Sequence, residues 1–366
     1  MGTFGDSHEW ALVMPSIRQI NSEYLSSIPE SVKIFVVDDT DGTIQPNRDN
    51  MEVYTYSDYK EVLGDDTALI PRKTDTCRSF GFYMAWLQGY RYIVTLDDDC
   101  LTHDGFLDEH SILGKVVSLK AVASNPWYNT LDNLHLKSNG GQTGRYYARG
   151  FPYCYRPSPS EPQEFSTVTG RVVCNMGMWL EVPDINGLDK IDGDIPQSVS
   201  LKEERLAISS GTNFSLSIMN VAFLAEIVPA FYQLPMNVEV CDARLDRFGD
   251  IWSGYILKKL ADIRGDLVTI GKPVVTHTKA GNTIREIKVE HFGNLMENYF
   301  YPLVDESIQG IAPGDYGEMY HQFASTFNQI ANKANLPKGY RNFFASMSEK
   351  MARWALLFLR GGNDRA

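Results

Sequence analysis

The chain has 366 residues, 43% hydrophobic and 22% charged, the balance of a soluble globular protein with one large domain and an appendage, or with two domains. Its net charge of −12 argues against a nucleic-acid backbone as the main partner, but not against a small anionic ligand held locally. No apolar run approaches the roughly 20 residues that a membrane-spanning helix needs.

The N-terminal residues lack the basic start and apolar stretch of a signal peptide. Five scattered cysteines without a C-x-x-C pair read as reduced thiols of a cytoplasmic protein. Residues 10–14 form the first strand candidate. Pro15-Ser16-Ile17-Arg18 then turns into a helix expected to reach about residue 27. That turn would place Ser16 and Arg18 where nucleotides bind. A second strand over 33–37 ends in Asp38-Asp39-Thr40-Asp41-Gly42, which suits either a carboxylate facing a base or ribose, or a plain Asp-Gly turn. A short strand at 51–56 and a short helix at 59–63 follow.

From 74 or 75 to about 87 the spacing of Cys77, Phe80, Met84 and Leu87 gives one apolar helix face. Lys73 and Arg78 lie near its start, where an anion is favoured. Tyr92 to Leu96 is a short β-branched run that reads as a buried strand, and it ends abruptly in Asp97-Asp98-Asp99-Cys100. Three carboxylates at a strand end repel one another unless a cation sits among them. Hard oxygen donors there suit Mg²⁺ or Mn²⁺ shared with a substrate phosphate. The bland alternative is an acidic turn.

Residues 104–119 read as another helix. The stretch 121–170 is irregular and rich in Asn, Gly, Tyr and Pro, as binding loops and mobile loops are. Strand-rich segments follow at 167–180 and 219–224. An amphipathic helix over 252–260 carries Asp250 at its head, and a last strand over 267–276 is followed by His277, either a metal ligand or a structural histidine. From 285 the pattern is helical, and the apolar stretch 351–359, too short to span a bilayer, fits core packing or contact within a homo-oligomer, with membrane attachment as the minor alternative. Strands alternating with helices, with acidic clusters at strand ends, predict an α/β protein with one ligand crevice.

Together these segments resemble the reversibly glycosylated polypeptide family, which includes the UDP-arabinopyranose mutases (glycosyltransferase family 75). The match runs over roughly residues 10–300. It is carried by Pro15-Ser16-Ile17-Arg18, Asp39 and Asp41, Lys73 with Cys77-Arg78, Asp97-Asp98-Asp99-Cys100, Arg149-Gly150-Phe151-Pro152, Pro183-Asp184, Asp250-Ile251-Trp252, and His277-Thr278-Lys279-Ala280-Gly281-Asn282. The resemblance implies a glycosyltransferase-A-like, Rossmann-like mixed sheet flanked by helices over residues 1–300, with a helical C-terminal extension over 301–366. It implies a UDP-sugar substrate and a Mn²⁺ or Mg²⁺ ion held by Asp97, Asp99 and His277. Ser16, Arg18, Asp39, Lys73, Arg78, Asp97 and Asp98 would bind the nucleotide.

Arg149 matches the family's reversibly glycosylated arginine. A guanidinium becomes a nucleophile only if a carboxylate takes its proton, and Asp250 is the candidate for that role. Three activities follow as alternatives: a UDP-sugar mutase, a glycosyltransferase with a separate acceptor, and a non-catalytic UDP-sugar-binding partner. The chain departs from plant members at Met176, where a His is expected, and at Asp38-Asp39-Thr40-Asp41, which replaces Gln-Asp-Gly-Asp.

Overall fold

Short runs of Val, Ile, Leu and Phe, each buried on both faces, build the centre of the molecule. The computed structural model describes residues 7–40, 42–137, 145–156, 163–191, 195–277 and 282–361. The predicted Asp41 and the Thr278–Gly281 segment lie outside the described residues. Among the described residues nine strands form a mixed sheet. Their spatial order is Leu267–Gly271, Leu206–Ile208, Val116–Ala123, Glu164–Gly177, Asn220–Leu224, Tyr92–Leu96, Trp10–Ser16, Lys33–Asp38 and Met51–Tyr54. Helices flank this sheet, so the class is mixed α/β.

The half of the sheet that matters for function is parallel. Trp10–Ser16 lies between Tyr92–Leu96 and Lys33–Asp38, parallel to both, with Ser16 opposite Asp38. Parallel pairing brings the carboxyl ends of all three strands to one edge. Asn220–Leu224 joins antiparallel, with Asn220 opposite Leu96, so the segment before Asn220 reaches the same edge. Helix Arg78–Leu87 packs on this half closely enough that a Cβ on Gly81 would stand 2.4 Å from Val13 Cγ1.

A second, smaller sheet runs Cys100–Thr102, Val275–His277, Leu180–Glu181, Gln197–Leu201 and Leu134–Lys137. Its pairing of His277 with Cys100 delivers the histidine to the acidic strand end.

Three expectations about local structure are corrected. The helix expected after Arg18 is absent. The strand continues through Ser16, and only a short 3₁₀ turn, Ser22–Leu25, follows. The helix expected over 104–119 shrinks to Phe106–His110, and Val116–Ala123 is a strand paired antiparallel with Glu164–Gly177. β-branched Val116 and Val117 favour that pairing over the helical spacing. The strand expected over 267–276 divides into Leu267–Gly271 and Val275–His277, one in each sheet.

At the C-terminal end, helices Thr283–Ser307, Tyr316–Lys333 and Lys338–Gly361 pack on the body. The first of these runs continuously through residues 300 and 301. Trp354 stacks on Tyr232 at 5.0 Å and donates its indole N–H to Val228 O at 3.2 Å. Arg353 pairs with Asp66. The same buried apolar cluster takes in Trp10, Trp252 and Trp354. No helix among the described residues is long and apolar enough to cross a membrane.

Candidate active site

The acidic strand end carries three different carboxylates. Asp97 accepts a short hydrogen bond from the Arg78 Nη2. Arg78 is buried at the start of its helix, where its other terminal nitrogen donates to Thr95 Oγ1 at 2.6 Å and to Leu96 O at 3.3 Å. Burial alone would lower the Arg78 pKa, but Asp97 outweighs it and the guanidinium stays charged. Asp98 accepts from Ser16 Oγ at 2.5 Å and from Arg18 Nε at 2.9 Å, with a second, shorter contact from Arg18 Nη2. Asp99 lies 3.5 Å from the same Arg18 and, through Oδ1, 3.9 Å from His277 Nε2.

The tautomer of His277 follows from its other nitrogen. Nδ1 stands 2.9 Å from Val182 O, and a carbonyl can only accept, so Nδ1 carries the proton. Nε2 then faces Asp99 and, in the neutral imidazole, is the nitrogen that offers a lone pair to an ion. Two neighbouring ligands each ~2.1 Å from one octahedral ion stand about 3 Å apart, so Asp99 and His277, 3.9 Å apart, have to draw together by about 1 Å to hold one ion. Among the described residues no group of three or more His, Cys, Asp or Glu side chains is placed to hold an ion by itself. An ion of the Mg²⁺ or Mn²⁺ type takes the rest of its shell from substrate phosphate and water, so a two-ligand corner fits it.

Asp38 and Asp39 serve the backbone. Asp38 is buried and accepts from Thr40 N at 2.7 Å and Ile44 N at 3.2 Å, the plain turn that its sequence allowed. Asp39 accepts from the Lys73 amide at 2.8 Å, and burial raises its carboxyl. Lys73 adopts φ +59° on the exposed loop that leads to the 3₁₀ turn Asp75–Cys77. Cys100 is buried among like charges and its thiol is pushed well up, which fits a packed residue and not a nucleophile.

A second charged cluster centres on Arg149. Its Nε lies 3.1 Å from both oxygens of Asp184. Its Nη1 donates to Asp250 Oδ1 at 3.0 Å and to Arg247 O at 2.5 Å, and its Nη2 meets Asp250 Oδ2 at 2.7 Å and Asp184 Oδ2 at 3.0 Å. Every guanidinium nitrogen is engaged, and all three side chains are buried. Burial would lower the Arg149 pKa, but Asp184 and Asp250 outweigh it and hold it well above the ordinary value. Burial likewise pushes the Asp184 carboxyl up, yet Arg149, with a bond from Ser217 Oγ, brings it down to about 2.

The residue after Arg149 must be glycine. Gly150 has φ +80°, and a Cβ there would stand 2.4 Å from Ile251 Cγ2. That close approach seats the loop on the first turn of helix Gly249–Arg264, which carries Asp250.

Between the two clusters stands Asp75, which sequence reasoning passed over as a mere helix start. Its side chain keeps solvent access, yet protein surrounds it so closely that burial lifts its carboxyl to about 6. Asp250 and Asp97 push in the same direction through their charge, and Arg78 and Arg149 push against it. The expected residues thus fall into a carboxylate corner (Ser16, Arg18, Arg78, Asp97, Asp98, Asp99, His277) and an arginine cluster (Arg149, Asp250), with Asp75 electrically in touch with both. Lys73 and Asp39 sit beside the corner, joined to each other through the backbone. Asp184 and Ser217 complete the arginine cluster. Asp184 stood in the Pro183-Asp184 segment, but nothing in its spacing pointed to Arg149.

Comparison with known proteins adds an independent line. The family model described as "Reversibly glycosylated polypeptide" matches residues 7–358. The chain is 24% identical over 354 residues to "Probable UDP-arabinopyranose mutase 2" of Solanum tuberosum, covering 94% of this chain and 88% of that one. It is 23% identical over 354 residues to "UDP-arabinopyranose mutase 1" of Oryza sativa subsp. japonica, covering 94% and 89%. To "UDP-arabinopyranose mutase 1" of Arabidopsis thaliana it is 26% identical over 302 residues, covering 80% and 78%.

Proposed function

Because the chain belongs to the reversibly glycosylated polypeptide family, we propose that it is a UDP-sugar mutase that interconverts UDP-arabinopyranose and UDP-arabinofuranose, or the ring forms of a related UDP-sugar. The observation that carries this reading is a pair of charged clusters that both act on Asp75: a carboxylate corner suited to a diphosphate and its cation, and a buried arginine held by two carboxylates. The parallel strands that end together at the corner support a glycosyltransferase-A-type arrangement.

Asp99 and His277 would hold a Mn²⁺ or Mg²⁺ ion, with Asp97, paired with Arg78, beside them on the same strand end. When bound, that ion stabilises the charge that grows on the departing diphosphate. Arg18 is half exposed beside Asp98 and Asp99, and it turns to the diphosphate as the corner fills. Ser16 keeps Asp98 in place. Asp39 and Lys73 border the nucleotide on the second strand's side.

The arginine cluster holds the sugar. For Arg149 to carry the sugar itself, one nitrogen must lose its proton as the N–C1 bond forms and UDP leaves. The 2.7 Å contact with Asp250 supports that carboxylate as the acceptor of the proton. Enclosure of the cluster favours return of the sugar to UDP over hydrolysis.

The test is incubation with UDP-arabinopyranose and Mn²⁺, with chromatography of the nucleotide sugars and the mass of the intact protein. A furanose product with a transient mass increase, abolished in Arg149→Lys, is the expected result. UDP release that waits on an added acceptor, without any furanose, would replace the mutase with a transferase. Binding without any turnover would leave a UDP-sugar-binding partner.

A further inference from the structure

We propose that Asp75 is the proton shuttle of the ring interconversion, an inference that rests on the mutase reading above. Asp75 opens the 3₁₀ turn Asp75–Cys77, which continues directly into the helix bearing Arg78. Helix Gly249–Arg264, with Asp250 in its first turn, packs against that same turn. The carboxylate thus stands between the corner that takes the diphosphate and the arginine cluster that takes the sugar. It is reachable from solvent, and no donor among the described residues is recorded on it, unlike Asp97, Asp98, Asp184 and Asp250. A carboxylate without a structural partner, at the junction of two sites built from paired charges, is free to bond a substrate hydroxyl.

The chemistry requires such a group. With C1 held by an Arg149 nitrogen, opening the pyranose breaks the C1–O5 bond. The nitrogen lone pair forms C=N, and O5 leaves with the bonding pair and takes a proton. Closing the furanose forms C1–O4. The C=N pair returns to nitrogen, and O4 gives up its proton. One carboxyl that donates to O5 and accepts from O4 ends as it began, so no external acid or base is consumed. A group with a pKa near the working pH does both. The groups facing Asp75 are the Arg78 charge and the neutral Cys77 thiol from its own segment, the charges of Asp250 and Arg149 from the arginine cluster, and that of Asp97 from the strand end.

The experiment compares wild type, D75N and D75E with UDP-arabinopyranose and Mn²⁺. It reads UDP release and protein mass for sugar loading, and furanose yield against pH for interconversion. Sugar loading should survive in D75N within about threefold, while interconversion falls at least ~100-fold and no longer shows the decline that wild type shows as the pH rises through 6 and the donating carboxyl is lost; D75E should recover part of the rate. D75N that interconverts at the wild-type rate, or that loses loading and interconversion equally, overturns the shuttle and leaves the mutase standing. A wild type that makes no furanose removes the mutase reading, and the shuttle with it.

Discussion

At the scale of single residues, the site is a set of charges whose partners decide their roles. Asp75 is the outlier, because burial raises its carboxyl from 3.8 to about 6. A raised carboxyl contributes stability that is fully present below the unfolded value and is lost as the pH rises through the folded one. D75N should therefore melt higher than wild type above pH 6. The gap should narrow from pH 6 to 4 and close below that, as thermal melts across this range would show. Equal melting temperatures at pH 8 would mean that the carboxyl is not strained there. Arg149 is the opposite case. Arg149→Ala leaves two buried carboxylates without their cation and should cost roughly 3–5 kcal/mol in urea unfolding. Arg149→Lys should cost less, since it keeps the charge but loses the paired hydrogen bonds. Asp184, held down to about 2, contributes stability present above pH 4 and lost as the pH falls toward 2. Asp184→Asn should flatten that acid limb. The sequence made Arg149 and Asp250 visible as separate motif residues, but their contact joins positions far apart in the chain, which no local pattern encodes.

At the scale of elements, the legible part was the parallel half of the sheet. Runs such as Ile34–Val37 and Ile93–Leu96 are buried throughout, and each ends in acids, so both strand and edge could be read from composition alone. Val116–Ala123 was not legible, because its exposed and half-buried positions carry a Lys and a Ser that also suit a helix face. His277 shows what pairing adds: its strand lies antiparallel to Cys100–Thr102, and this register brings an isolated histidine to Asp99. The Val182 carbonyl fixes its tautomer, a backbone detail that the sequence cannot display. His277→Ala should lower Mn²⁺ affinity at least ~10-fold in the presence of UDP, measured by the free-ion signal in electron paramagnetic resonance. Unchanged affinity would remove His277 from the ion.

At the scale of the whole molecule, the C-terminal helices and the sheet share one apolar core. The apolar segment 351–359, whose purpose the sequence left open between core and oligomer contact, packs Trp354 on Tyr232 and Phe358 against Tyr83 and Trp86. Trp354→Ala should cost about 3–5 kcal/mol and lower the midpoint of a single cooperative unfolding transition. Two separated transitions would instead mark the helices as an independent unit. The same core takes in the helix bearing Arg78 and the helix bearing Asp250, so the placement of the two clusters is set by packing across the described residues.

On the proposed mechanism one sugar passes from UDP to the arginine cluster and back with its ring changed. Carbon-13 NMR of UDP-arabinopyranose labelled at C1, incubated with the protein and Mn²⁺, follows this directly. A UDP-furanose C1 resonance should grow at the expense of the pyranose signal until both are constant, without accumulation of free arabinose. A spectrum that keeps only the pyranose signal, or that shows free arabinose alone, would contradict it.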